Sequence, residues 1–135
     1  MIELEFSTIP DSDLDLAVLS RLVAEFGQEH HVRVRLSPMT WGNAWTELMT
    51  IASHGRGPHI SHIGGSWTSS LVMMNALRPF QPAELEAIGG ASAFMQPTWI
   101  STYLEGEADK VYAIPWTGYI YVICYRKDLL KQAGI

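Results

Sequence analysis

Residues 2–36, IELEFSTIPDSDLDLAVLSRLVAEFGQEHHVRVRL, hold the strand–helix–strand unit on which the reading of the fold rests. Ile2, Leu4 and Phe6 alternate with Glu3 and Glu5, the period-two pattern of a strand with one apolar face. Pro10 and Asp11-Ser12-Asp13 stop that strand, and Ser12 with Asp15 three residues on makes a capping-box-like helix start. Leu16, Leu19, Val23 and Phe26 then follow at helical spacing, so the helix runs to about Gln28. Val32, Val34 and Leu36 alternate with Arg33 and Arg35, a second strand whose charged face suits the edge of a sheet. A right-handed crossover joins such strands in parallel, which places the first strand between the second and the third.

Outward from this unit the alternation continues. Thr40 is expected to cap a helix with Trp41, Trp45, Leu48, Met49 and Ala52 on its apolar face, ended by Gly55-Arg56-Gly57-Pro58. A short strand at Ile60–Ile63 follows, then Gly64-Gly65 and a third helix capped by Ser66 and ended by Asn75 in left-handed geometry. Pro82 opens a short helix that Gly89-Gly90 stops, and another helical stretch lies around Ala93–Tyr103. Val111–Ile114 and Tyr119–Tyr125 read as strands, and Asp128 as the cap of a last helix. The order describes an α/β fold with an open, mainly parallel sheet flanked by helices. Ligands of such sheets sit beyond the carboxyl ends of the strands, here the loops Ser7–Asp11, Ser37–Gly42 and Gly64–Trp67.

Composition narrows the function. The 135 residues are 47% hydrophobic and 17% charged, with a formal net charge of −5. They can build a core, and they carry no basic stripe, so nucleic acid is not an expected partner. The longest apolar run, Tyr119–Tyr125, is far short of the about 20 residues of a membrane span, and no direct membrane insertion is expected. The start has acids where a signal peptide has bases. A chain that begins inside a strand and stops just after a helix reads as a fragment. Cys124, the one cysteine, rules out an internal disulfide and reads as a small buried core residue.

Gly64-Gly65-Ser66-Trp67 is the most informative loop. Two glycines let backbone approach a ligand, free N–H groups of the following helix are donors, and Trp67 offers a flat apolar face with one N–H. That combination suits a sugar. Trp41, near a strand end, Trp116, in a turn between strands, and Tyr119 extend the aromatic theme, whereas Trp45 on the helix's apolar face reads as core. Catalytic patterns fail: Gly64-Gly65-Ser66-Trp67-Thr68 lacks the last glycine of a nucleophile elbow. His59 and His62 fall on opposite faces of a strand, with no carboxylate within five residues, and read as satisfied rather than metal-binding. No phosphate loop or dinucleotide fingerprint is present, so no cofactor is expected.

These residues, in order, resemble a known family. Trp41-Gly42-Asn43-Ala44-Trp45, Gly55-Arg56-Gly57-Pro58, Gly64-Gly65-Ser66-Trp67 and Asn75-Ala76-Leu77-Arg78-Pro79-Phe80 are followed by Lys110-Val111-Tyr112-Ala113-Ile114-Pro115-Trp116 and by Tyr125-Arg126-Lys127-Asp128-Leu129-Leu130 through Ala133-Gly134-Ile135. The set resembles the sugar-binding cluster of the extracellular solute-binding proteins of bacterial ABC transporters. It departs from the family at His59, where the family has Asp, and at Thr8-Ile9-Pro10, where it has a Trp-bearing loop. The resemblance implies a type II periplasmic-binding-protein-like lobe, with residues 1–135 forming the N-terminal part of lobe one and the second lobe absent. It also implies a periplasmic or extracellular protein, lipid-anchored or not in its precursor, that binds a carbohydrate and delivers it to a membrane permease. Ser66, Trp67, Trp116, Trp41, Tyr119 and Gly65 are the candidate ligand groups. Two rival readings are a ligand-sensing effector domain of a transcription regulator of the same fold, and an α/β enzyme using Ser66.

Overall fold

The computed structural model describes residues 2–119 and 122–135. Three strands, β1 (Ile2–Thr8), β2 (Val32–Pro38) and β3 (Ile60–Ser61), form a parallel sheet in the order β2-β1-β3. The first strand therefore lies in the middle, the order expected from the sequence. Ile2 pairs with Val32 and the register runs on to Thr8 with Pro38, while Phe6 and Ser7 pair with Ile60 and Ser61. β2 is an edge with Arg33 and Arg35 exposed, and Arg35 reaches across to the Glu5 carboxylate at 2.9 Å.

Helix α1 (Asp13–His30) joins β1 to β2. Ser12 caps it, its hydroxyl accepting from the Asp15 N–H at 3.2 Å. The helix ends at His30, two residues beyond the expected Gln28, and its C-cap His31 has φ 55°. Gly27 is required in its last turn, because a Cβ there would stand 2.6 Å from the Val32 carbonyl oxygen. Helix α2 (Ala44–His54) joins β2 to β3, and α3 (Thr68–Met73) follows β3. Beyond them come α4 (Pro82–Ala87), α5 (Gln96–Trp99) and α6 (Lys127–Gln132), with single 3₁₀ turns at Gly65–Trp67, Ala91–Ala93 and Ile100–Thr102. Asn75 has φ 55°, the left-handed stop expected there.

Burial deepens toward the carboxyl end of the sheet. Glu3 is exposed, Leu4 to Phe6 are half-buried, and Ser7, Thr8 and Ile9 are buried. Ile9, Met39, Ala44, Leu48 and Leu71 form the core cluster, against which Met49, Ala52, Ile63, Trp67 and Leu77 pack. The core thus lies directly under the three loops that follow the strands. Elsewhere apolar surface is left open: Leu14, Val18 and Leu22, one stripe of α1, are exposed. The accessible surface of 10035 Å² exceeds the about 7,000 Å² of a compact chain of this mass.

Four local expectations are corrected. Thr40 does not cap α2: the Asn43 side-chain oxygen accepts from the Thr40 N–H at 2.8 Å and its hydroxyl at 2.9 Å, folding residues 40–43 into a turn that holds Trp41 ahead of the helix. Short polar side chains compete for backbone groups in this way. Ser66 is no cap either; it lies within the 3₁₀ turn that the two glycines allow, and the Thr68 hydroxyl bonds the Gly65 carbonyl at 3.0 Å. Asp128 sits in the first turn of α6, which begins after Arg126, and its carboxylate pairs with the Arg126 guanidinium. Lastly, among the described residues, Val111–Ile114 and Tyr119 with Val122–Tyr125 form no strand; Ile120 and Tyr121 lie outside the described residues. Val111 instead accepts from the Phe80 N–H at 2.7 Å, and Tyr112 donates to the Thr102 carbonyl at 2.8 Å. A strand needs a neighbouring edge, and no strand of the sheet pairs with these segments. Cys124 is consequently exposed, not buried.

Candidate functional site

The loops after β1, β2 and β3 converge because parallel strands end on the same side. The ladder extends into them: Met39 N–H donates to the Thr8 carbonyl and His62 N–H to the Ser7 carbonyl, each at 2.7 Å. His62 Nδ1 then accepts from the Ile9 N–H at 3.2 Å, and His59 Nδ1 accepts from the Glu5 N–H at 3.0 Å. Both histidines are satisfied by the backbone of β1 and its exit. Partial burial pushes the His62 imidazole below its ordinary pKa, against the pull of the Asp11 carboxylate.

Asp11 ties the loops together. The Trp41 indole Nε1–H donates to its Oδ1 at 3.0 Å, and the Tyr119 hydroxyl donates to its Oδ2. The Tyr119 and Trp41 bonds, in that order, hold the Asp11 carboxyl below its usual range, and the same bond raises the Tyr119 phenol. The two shifts are reciprocal, as one shared proton donor and acceptor require.

An aromatic cluster grows from this point. The Trp41 ring meets His62 edge-on with centroids 5.8 Å apart, and meets Trp67, also edge-on, at 5.8 Å. Trp67 in turn meets Trp45 at 5.4 Å. Trp67 lies close over Gly64, whose added Cβ would stand 3.1 Å from the indole, so the first glycine of the pair makes room for the ring. Beside the cluster is a cleft of about 320 Å³, lined by Ile9, Pro10, Asp11, His62, Trp116 and the apolar stripe of α1.

The structure thus brings Trp41, Trp67 and Tyr119 into one bonded or touching group, and Trp116 lines the same cleft as Asp11 and His62. Trp41, Trp116 and Tyr119 stay 43%, 58% and 57% exposed, and Trp67 is half-buried. Gly65 and Ser66 are exposed on the 3₁₀ turn, and Gly65 is backed by Ser101, whose hydroxyl oxygen a Cβ would meet at 3.0 Å. Trp45 is corrected: it is 38% exposed rather than core. Ala44 and Leu48 are the buried positions of α2, and Trp45 stands one residue round the helix from Ala44, on the flank where Trp67 meets it. In the sequence Asp11 reads as part of a strand stop and as the end of a candidate loop, not as a site residue. Its type and place, an acid just beyond a strand's carboxyl end, were the available signal.

Sequence comparison places the chain in a family. A model of the bacterial extracellular solute-binding proteins matches residues 21–135. The chain belongs to that family. No curated protein sequence matches it. Among solved structures, this solute-binding chain is similar to the sugar-binding protein MalE from Xanthomonas citri, with a TM-score of 0.71 and 22% identity over 98% of this chain and 33% of that one. It is similar to the GacH receptor of Streptomyces glaucescens, solved unliganded and with acarbose, with a TM-score of 0.70 and 21% identity over 84% of this chain and 29% of that one. CpMnBP1 with mannotriose bound gives a TM-score of 0.64 and 19% identity over 100% of this chain and 33% of that one. The fold is that of a type II periplasmic-binding-protein-like lobe, and the solute-binding chain spans about a third of the length of these structures.

Proposed function

We propose that the chain forms the N-terminal part of lobe one of a two-lobe protein that binds a carbohydrate outside the cytoplasmic membrane and delivers it to an ABC transporter permease. The observation that carries this reading is the aromatic group at the carboxyl end of the sheet, where Trp41 and Tyr119 are exposed and Trp67 half-buried, beside a cleft lined by the exposed Trp116. A pyranose offers apolar C–H faces rimmed by hydroxyls, and open indole faces next to fixed polar groups are complementary to it. The exposed backbone of Gly65 and Ser66 supplies hydrogen-bonding groups at one margin. The names of the similar structures, a sugar-binding protein and complexes with acarbose and mannotriose, support the same class of ligand. The open apolar stripe of α1 and the large accessible surface agree with a lobe that further chain completes.

Membership of a solute-binding family supports a carrier rather than an enzyme, and an extracellular or periplasmic location. Among the described residues no helix is long and apolar enough to cross a membrane. Calorimetry with acarbose, mannotriose and simpler sugars tests the reading on the two-lobe protein. Trp67→Ala and Trp116→Ala should each weaken binding by about 1–3 kcal/mol, the usual scale of aromatic stacking in ligand sites. Unchanged affinity in both variants would sink the carbohydrate site.

A further inference from the structure

We infer that Asp11 is a positioning residue of the solute site, whose carboxylate holds the Trp41 indole and the Tyr119 ring as one pre-set aromatic wall. The inference rests on the carbohydrate reading and deepens it. Asp11 is bonded at both oxygens to side chains 30 and 108 residues away along the chain. Neither partner stands in a helix or strand among the described residues: Trp41 is in the 40–43 turn, and Tyr119 ends the described stretch 103–119, which holds none. The carboxylate is therefore the group common to both. Because it accepts from the indole N–H and the phenol O–H, both polar tips are turned to one exposed carboxylate, and ring area of both residues stays open to a ligand. Trp41 passes the placement on through its edge contacts with His62 and Trp67. His62, Asp15 and Tyr119 are the ionisable groups whose charges or protons act on this assembly, with Asp11 itself.

A solute that meets side chains already in place does not bear the cost of ordering them. If loss of the carboxylate leaves the wall assembled about a tenth of the time, the apparent dissociation constant rises about tenfold. The test compares Asp11→Ala and Asp11→Asn with wild type in the two-lobe protein. The Trp41 indole N–H resonance is followed by ¹H–¹⁵N NMR at neutral pH, assigned with Trp41→Phe, and affinity is measured by calorimetry with acarbose and mannotriose. In Asp11→Ala the resonance should move to the position of a water-exposed indole and binding should weaken about tenfold. Asp11→Asn, which keeps one carbonyl acceptor, should fall between. Tyr119 should ionise at lower pH in Asp11→Ala than in wild type, since its raised pKa comes first from that bond. An unmoved indole resonance overturns the inference, because the wall then does not depend on Asp11. A moved resonance with unchanged affinity overturns it as well. If instead Trp67→Ala and Trp116→Ala leave affinity unchanged, or neither sugar binds wild type, the carbohydrate reading fails first and takes the inference with it.

Discussion

Truncating Trp67, Trp45 and Trp116 one at a time separates packing from ligand contact. Trp67 packs against the core cluster and meets Trp41 and Trp45, so Trp67→Ala removes structure as well as a binding surface. A fully buried aromatic costs about 3–5 kcal/mol on truncation to Ala, and a half-buried one about half of that, near 2 kcal/mol. Trp45, 38% exposed with Trp67 against it, belongs in the same range. Trp116 is 58% exposed and lines the cleft, so Trp116→Ala should cost less than about 1 kcal/mol of stability. In a protein of some hundreds of residues each kcal/mol lowers the melting temperature by about 2–4 °C. Trp67→Ala and Trp45→Ala should therefore melt about 4–8 °C early, and Trp116→Ala within about 4 °C of wild type. Binding should sort differently, with Trp67→Ala and Trp116→Ala impaired and Trp45→Ala spared. Scanning calorimetry beside sugar titration measures both. Equal melting shifts for Trp116→Ala and Trp67→Ala would refute the reasoning, because the exposed ring would then be packed.

Leu48→Ala, at 4% exposure in the core cluster, should cost about 2–5 kcal/mol in urea unfolding, the range for truncating a buried leucine. Gly27→Ala should cost about 1–3 kcal/mol by overpacking, since its Cβ would meet the backbone oxygen of Val32 rather than a movable side chain. His62 is held neutral, with its folded pKa below the unfolded value, so its contribution is fully present above about pH 6.5 and is lost as pH falls through the folded pKa. Unfolding free energies measured from pH 8 down to pH 5 should show that loss in wild type, and a flatter profile in His62→Gln.

What the sequence determined by itself is the part governed by local period and chain direction. Alternation in residues 2–6 and 32–36, a helix between them and the handedness of crossovers were sufficient for the parallel order β2-β1-β3 and for the charged edge at Arg33 and Arg35. They also placed the candidate ligand loops at one end of the sheet, since parallel strands end together. The tertiary structure alone decided which side chains meet there. Asp11 reaches partners 30 and 108 residues distant, and no spacing rule connects them. Trp45 follows an apolar helical pattern that cannot tell the middle of a packed face from its flank, which depends on the neighbour actually present. The apolar run ending at Tyr125 has strand-like residues, yet a strand exists only where another edge offers its N–H and C=O groups. Among the described residues of that run none is paired in a strand, and Ile123 and Cys124 stand in water despite their composition.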